Sequence, residues 1–485
     1  MPITEKKVYS QWPYIGLIFF GAMFIALICI RLGLFEKNVD LLKDVSQTLS
    51  AQETWMNIFH QNHKIGYSQR MIQPQEDIYT LSDKTWLQLN TMGVLQEVFI
   101  KTSAILNKDM SLSQFSFQLT SDPFAFKVQG TIESNMMRLV IDNTETQIPI
   151  QEKIFLPTAL MDAAYALQIE PGEKQKITLF DPSTMGMRTV LLTCTGHETL
   201  NIQGVDYPCT IYSMEFMGMT SSAWIDSNGQ IIQEKGIMGM TLQKTSKETA
   251  LHGLSDSKHN DLIEWVSIKS NILIDDPERL REITFQIDSS FDAKILDGGR
   301  QSLTKNIQLT INREHIPPPP FSTENMQEYI HPTVFIPSDH PRIQEQLDKI
   351  VKRTDPILVK VKKLMVWMNA NIQKRPVLSV PNAIETLNHK RGDCNEHATL
   401  LASFLRASGI PTQICAGLVY LNGRFYYHAW NEIYLNQWIS LDTIMEQLPA
   451  DVTHIRLVRG EPDAQMALLG MIGNIQIKIL EKKYD

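Results

Sequence analysis

The chain has 485 residues, 43% of them hydrophobic and 20% charged, a globular composition long enough for two or three domains with real cores. Its formal charge of −8, with no basic patch interleaved with aromatics, argues against a nucleic-acid partner. Five cysteines are spread along it.

In chain order, residues 1–11 form a short tail, and Trp12 to Ile30 is a run of nineteen residues without a charge, long enough to span a bilayer. No small-x-small cleavage site follows it, so residues 12–33 are expected to be an uncleaved anchor. Lys6 and Lys7 stand before it, Arg31 and Lys37 after it. The expected orientation keeps the short tail inside and sends the bulk of the chain to the extracytoplasmic side, the periplasm in a bacterium. Residues 34–54 are a polar spacer.

Residues 55–250 alternate as β-strands, for example Asp77 to Leu89, Gln96 to Leu106, Gln114 to Leu119 and Ile231 to Thr245. One helix, Pro157 to Ile169, interrupts them, and Asp226-Ser227-Asn228-Gly229 is a hairpin turn. The expected product is a large antiparallel sheet or open barrel. Cys194 and Cys209 flank the turn-like Asn201 to Gly204; they pair in an oxidising compartment or stay as two strand thiols. Residues 251–320 hold a small β segment and end in Pro317 to Pro320, a stiff spacer expected to mark a domain boundary. In 321–485, helices are expected from Pro341 to Arg353 and from Asp355-Pro356 through Ile372.

Candidate chemistry is concentrated between Arg391 and Asp442. Gly392-Asp393 breaks and caps a helix that holds Ala398, Leu401 and Leu405 on one stripe and stops at Ser408-Gly409 before Pro411. Cys394 therefore sits in a first helical turn, where the dipole and orphan amides are expected to lower a thiol pKa and to serve an oxyanion. Thr412 to Tyr420 is a strand, Leu421 to Arg424 a two-residue hairpin turn, and the return strand to Tyr434 bears His428. Trp438 to Leu441 then delivers Asp442. His428 and Asp442 share a face only if an odd-length loop or a bulge joins their strands; Tyr434-Leu435-Asn436 with Asn436 left-handed meets that condition. Cys394, His428 and Asp442 are thus a candidate nucleophile, base and orienting acid. A single Cys or strand His is more often a core residue; it is the order of the three that points to chemistry. Cys394 and His397 have Cys-x-x-His spacing, but no second pair occurs at ligand spacing, so no metal and no cofactor are expected. His397 is expected to support the site from its helix, and Cys415, mid-strand, to be core.

These residues resemble the transglutaminase-like superfamily, relatives of the papain-type cysteine proteases. The resemblance rests on GDC-x-x-H-A (Gly392 to Ala398), R-A-x-G-I-P (Arg406 to Pro411), Y-H-A-W-N-E (Tyr427 to Glu432) and W-x-x-x-D (Trp438 to Asp442). DVTHIRLV, Asp451 to Val458, is similar to a downstream signature of bacterial members. The match spans about Ile343 to Ile479. It implies an α+β fold with the nucleophile Cys at a helix N-terminus packed on an antiparallel sheet, behind a large β-rich domain and a transmembrane helix. It also implies acyl transfer through a thioester, with Tyr427, Trp430 and Asn431 beside His428 as supporting or substrate-binding residues, and a Gln or Trp as second oxyanion donor. Bacterial relatives are often hydrolytic, so a protein or peptide substrate at the cell envelope is expected. The alternative is a non-catalytic envelope scaffold on the same fold.

Overall fold

The computed structural model describes residues 49–141, 144–216, 219–236, 239–253, 266–288, 293–471 and 474–485. Among them no helix is long and apolar enough to cross a membrane, and the anchor expected over 12–33 lies outside them.

Between Gln52 and Thr245 the alternating runs assemble into one 15-stranded sheet. The alternation is plain in Met136–Ile141, where Met137, Leu139 and Ile141 are buried and the residues between them exposed. The strand Gln52–His60 lies mid-sheet, paired on one side with His63–Gln75 and on the other with Met240–Thr245, so the first and last strands of this region are neighbours. The short edge strand Ile154–Phe155 runs parallel to Lys174–Asp181. The run from Ile231 to Thr245, expected as one strand, is two: Ile231–Lys235 and Met240–Thr245. The Gly236 amide donates to the Met240 carbonyl at 2.8 Å, and Gly239 takes φ +74, which turns the chain back. The expected helix contracts to a 3-10 turn, Pro157–Ala159, leading into Leu160–Ala166, whose Asp162 pairs with Arg70 inside the sheet. Cys194 and Cys209 are free thiols: Cys194 lies opposite Tyr212 and Cys209 opposite Glu198, an offset that keeps them apart.

The rest of the chain builds around the helix Cys394–Ala407. Leu400, Leu401, Phe404 and Leu405 pack with Ile343 and Leu347 of the helix Pro341–Ile350, with Val361, Leu364 and Met368 of Ile357–Asn371, and with Ile433 and Ile439. The strands Thr412–Leu421 and Arg424–Tyr434 are joined by the expected two-residue turn, with Asn422 and Gly423 at φ 48 and 85. They form a five-stranded sheet with Ile268–Lys269, Trp438–Leu441 and Ile455–Arg459. A separate small β segment ending at 320 does not describe what is found. The strand Leu280–Asp288 pairs with the C-terminal strand Gln476–Tyr484, and Ile283, Phe285, Leu309 and Ile311 share one core with Leu418, Phe425, Ile455 and Leu457. The proline run lies beside the five-stranded sheet, its Pro320 carbonyl accepting from Asn436 Nδ2 at 3.0 Å. The reason is apolar: half of the second core comes from each side of the prolines.

Gly417 marks how closely the central strands approach. A Cβ there would lie 2.0 Å from the Ile455 carbonyl oxygen, a backbone atom that cannot swing away. Gly417→Ala is expected to cost about 2 kcal/mol or more, read as a lower Tm.

Candidate active site

Cys394 is the first residue of its helix, and Asp393 is the cap. The Asp393 carboxylate accepts the Asn395 amide at 2.8 Å and the Glu396 amide, while the Glu396 carboxylate accepts the Asp393 amide at 3.1 Å. The His397 amide donates to the Asp393 carbonyl at 3.0 Å. These bonds consume three first-turn donors, which leaves the Cys394 amide itself for an oxyanion, fewer than the sequence suggests.

The strand Arg424–Tyr434 brings His428 to the thiol. Its pairing with Trp438–Leu441 sets Tyr434 opposite Trp438 and Asn431 opposite Leu441. The joining loop is therefore Leu435-Asn436-Gln437, odd in length as the site requires but one residue later than expected, with Asn436 at φ 63. Continuing the register places Asp442 diagonal to His428 on one face. His428 Nε2 donates to Asp442 Oδ2 at 2.6 Å, leaving Nδ1 for the Cys394 thiol, with which the imidazole is also hydrogen-bonded. Asp442 Oδ1 accepts the amides of Ile444 at 2.6 Å and Met445 at 3.1 Å, which hold the carboxylate from behind.

A residue that the sequence showed only as part of a motif completes the group. His454 donates from Nε2 to the same Asp442 Oδ2 at 3.0 Å, and its Nδ1 lies 3.3 Å from Asp451 Oδ1. Both partners are acceptors only, so a fully buried His454 with both nitrogens engaged is an imidazolium. Glu396 was also missed, although the Asp393-x-x-Glu396 spacing is a capping-box signal.

The electrostatics follow from burial and these partners. Burial works against charge on His428, but the charge and hydrogen bond of Asp442, with the thiol beside it, raise its pKa to about 10. His454 is likewise opposed by burial and raised by Asp442 and Asp451, to about 9. Despite burial, the Asp442 and Asp451 carboxyls are held well below the usual range by the imidazoles. Cys394 departs from expectation. Burial first, then the Asp393 carboxylate, push its thiol up, against the pull of His428 and the Ala429 backbone. Burial, with the capping carboxylate behind it, thus sets the direction, and the helix terminus that the sequence invites one to count on does not. Glu396 is pushed far above the usual carboxyl range by burial and by Asp393, and Ser379 Oγ donates to it at 2.7 Å.

The supporting residues separate by role. Asn431 Nδ2 donates to the Ala398 carbonyl at 2.9 Å, tying the histidine strand to the cysteine helix. Trp430, 2% exposed, stacks on His428 at 6.2 Å and meets His454 edge-on at 5.2 Å. Its Nε1 has no hydrogen-bond partner among the described residues. His397 is buried and donates from Nδ1 to the Asp393 carbonyl at 2.7 Å, fixing the cap. Tyr427 is packed against the core of Leu418, Phe425 and Ile455 rather than against the thiol. Cys415 is buried, and burial drives its thiol far up. His428, Asp442 and His454 put three potential ligand atoms within 4.8 Å of one another. Here the two imidazoles meet one carboxylate oxygen at hydrogen-bonding distances of 2.6 and 3.0 Å.

Residues 344–443 match the family model of the transglutaminase-like superfamily. The chain contains a transglutaminase-like domain. No curated protein matches the chain. Among solved structures, one described as a candidate cysteine protease from Cytophaga hutchinsonii is 15% identical over 42% of this chain and 87% of its own, with a TM-score of 0.28. A β-barrel-like protein of unknown function from Brucella abortus is 12% identical over 41% of this chain and 97% of its own, with a TM-score of 0.33. The periplasmic domain of TgpA from Pseudomonas aeruginosa is 16% identical over 37% of this chain and 89% of its own, with a TM-score of 0.24. Likenesses this distant do not bear on the chemistry. The transglutaminase-like domain begins in the helix Pro341–Ile350 and ends one residue past Asp442, so the three candidate catalytic residues all fall within it, while His454 and Asp451 lie beyond the matched residues.

Proposed function

We propose that the transglutaminase-like domain is a thiol-dependent acyl-transfer enzyme whose everyday reaction is hydrolysis of an amide or peptide. The observation that supports this reading is the hydrogen-bonded series Cys394–His428–Asp442 at a capped helix terminus. Cys394 Sγ attacks the amide carbon as the thiolate, its proton having passed to solvent because His428 already holds one. The C–N bond breaks as the imidazolium gives a proton to the departing amine. Water then adds to the thioester, the acid leaves, and the thiol re-forms. An amine in place of water makes the same steps a transamidation. The uncharged run Trp12 to Ile30 supports membrane anchoring, with the enzyme working on protein or peptide at the extracytoplasmic face.

The test is iodoacetamide labelling of the full chain across pH, with the modified cysteine identified by mass. Cys394 is expected to label well ahead of buried Cys415, with a midpoint above that of an ordinary thiol. His428→Ala removes the charge and hydrogen bond that pull the thiol down, so the midpoint should move up and the rate at neutral pH fall about tenfold or more. Equal labelling of wild type and His428→Ala would leave the scaffold reading in its place.

A further inference from the structure

The outer face of the 15-stranded sheet carries an ordered set of side chains that the proposed chemistry does not use. Five consecutive strands, His63–Gln75, Ile78–Thr91, Val94–Asn107, Leu112–Ser121 and Phe124–Glu133, are all internal to the sheet. Their inward residues, such as Ile72, Leu81, Ala104 and Phe115, are buried. Their outward residues line up in cross-strand rows. One row is Gln69, Lys84, Lys101, Gln118 and Lys127. The next, two residues along each strand, is Met71, Ser82, Ser103, Ser116 and Gln129. A third holds Gln73, Thr80, Ile105 and Gln114. These hydroxyls and amides rim a trough of about 400 Å³ whose floor is apolar, Leu81, Ala104 and Phe115 among it.

Two features make this more than a solvated face. Lys84 and Lys101 are directly opposite one another, a like-charge pairing that costs stability. Among the described residues none of Lys84, Lys101 and Lys127 has an ion-pair partner within bonding distance. The cation row is also continuous with a second cleft. The row on its other side runs Tyr67, Trp86, Phe99 and Thr120, and the last three line a cleft of about 660 Å³ that holds Arg375 and Arg391 together with Glu97 and Asp122, the latter 3.8 Å from Arg391. Arg391 precedes Cys394 by three residues, a reach of about 10 Å at most.

We propose that this face binds an anionic glycan chain, its sugar hydroxyls in the Ser/Thr/Gln trough and its acidic groups on the lysine row, running toward the cleft at Arg375 and Arg391. The chemistry selects that ligand over the other polyanions. An acidic peptide pairs most readily with a free sheet edge, and these strands have none. A single-stranded nucleic acid stacks successive bases on several open aromatic faces, whereas Tyr67 and Trp86 are stacked on one another at 5.7 Å and Phe99 is left as the exposed ring of the row. A sugar polymer needs many neutral donors and acceptors in register, spaced as neighbouring strands are, about 4.8 Å apart. Glu53, which accepts from Gln69 at 2.7 Å, closes the lysine row at one end and sets its polarity.

The test is a binding titration of the full chain with oligogalacturonate at low and moderate salt, beside neutral maltooligosaccharide, a phosphorylated mannan, poly-glutamate and oligothymidylate. Oligogalacturonate should bind with a salt-sensitive affinity that the triple variant Lys84→Gln, Lys101→Gln, Lys127→Gln lowers about tenfold. Ser103→Leu, which fills the trough without touching charge, should also weaken it several-fold. The triple variant should keep or raise the Tm, since it relieves repulsion, which shows the sheet intact. Preference for the phosphorylated mannan would keep the site and assign phosphate as its acid. Binding of poly-glutamate or oligothymidylate as tightly as the glycans, no glycan binding, or a triple variant that binds like wild type would overturn the proposal. None of these outcomes depends on whether Cys394 is a nucleophile.

Discussion

Asp442→Asn is expected to lower Cys394-dependent turnover by about 10²–10⁴-fold while leaving the thiol in place. In the native site Asp442 Oδ2 is the common acceptor for His428 and His454, and Oδ1 takes two backbone amides. An asparagine keeps only one acceptor oxygen. If it stays on the Ile444 and Met445 amides, its NH2 points at two imidazole N–H groups, donor against donor. His428 then loses its orientation, and His454 is left a buried cation with half its support. The same change should therefore destabilise the domain by on the order of 3 kcal/mol, the usual cost of removing one partner of a buried pair. Turnover on a peptide library, or iodoacetamide trapping of Cys394, reads the first effect, and a thermal melt reads the second. A variant that melts lower yet labels and turns over as wild type would make Asp442 a structural residue and not part of the reaction.

A stability maximum on the acid side of neutrality is the second expected result. Burial opposes protonation of both histidines, but their acidic partners raise His428 to about 10 and His454 to about 9. The folded state then holds protons that the unfolded chain releases near pH 6.5. The stability they confer is complete below about 6.5 and drains away as pH climbs through about 9 and about 10. Glu396, raised by burial and by Asp393, acts in the same sense, its contribution fading as pH rises above the ordinary carboxyl value. Asp442 and Asp451 act the other way. Held low, they stabilise above the ordinary carboxyl range and lose that contribution as the solution is acidified through it. The two trends cross near pH 5–6, and the fall from there to pH 9 should be on the order of 7 kcal/mol, about 1.4 per pH unit for each of the two extra protons held above about pH 6.5. Urea midpoints between pH 4.5 and 9.5 measure it. His454→Gln keeps a donor for Asp442 but has no proton to lose, so its alkaline slope should be shallower than that of wild type. A flat profile, or an unchanged slope in His454→Gln, would remove the imidazolium at this position.

Much of the local structure could be read without a fold. Asp393 before an apolar stripe gives a capped helix, Asn422-Gly423 gives a hairpin, and strict alternation gives strands such as Phe124–Glu133. Parity alone demands an odd loop between His428 and Asp442, because side chains alternate faces along a strand. What could not be read was any quantity set by distant partners. The Cys394 thiol is pushed up because packing removes water from it and because its own capping carboxylate stays beside it. A dipole argument from the helix alone counts neither. His454 enters the site from just before the strand Ile455–Arg459, twelve residues beyond Asp442, through a turn in which Asp442 and Gln447 exchange backbone bonds.

The sequence by itself determined the order of elements, the placing of Cys394, His428 and Asp442 on them, and the transglutaminase-like character of residues 344–443, because capping, turn chemistry and period are local properties. Tertiary structure decided the rest. It joined 280–312 to the C-terminal strand in one core, gave Asp442 a second imidazole, and aligned Lys84, Lys101 and Lys127 on one face. Each of these depends on which strands pair and in what register, and register is fixed by which apolar faces find one another, not by any residue's neighbours in the chain.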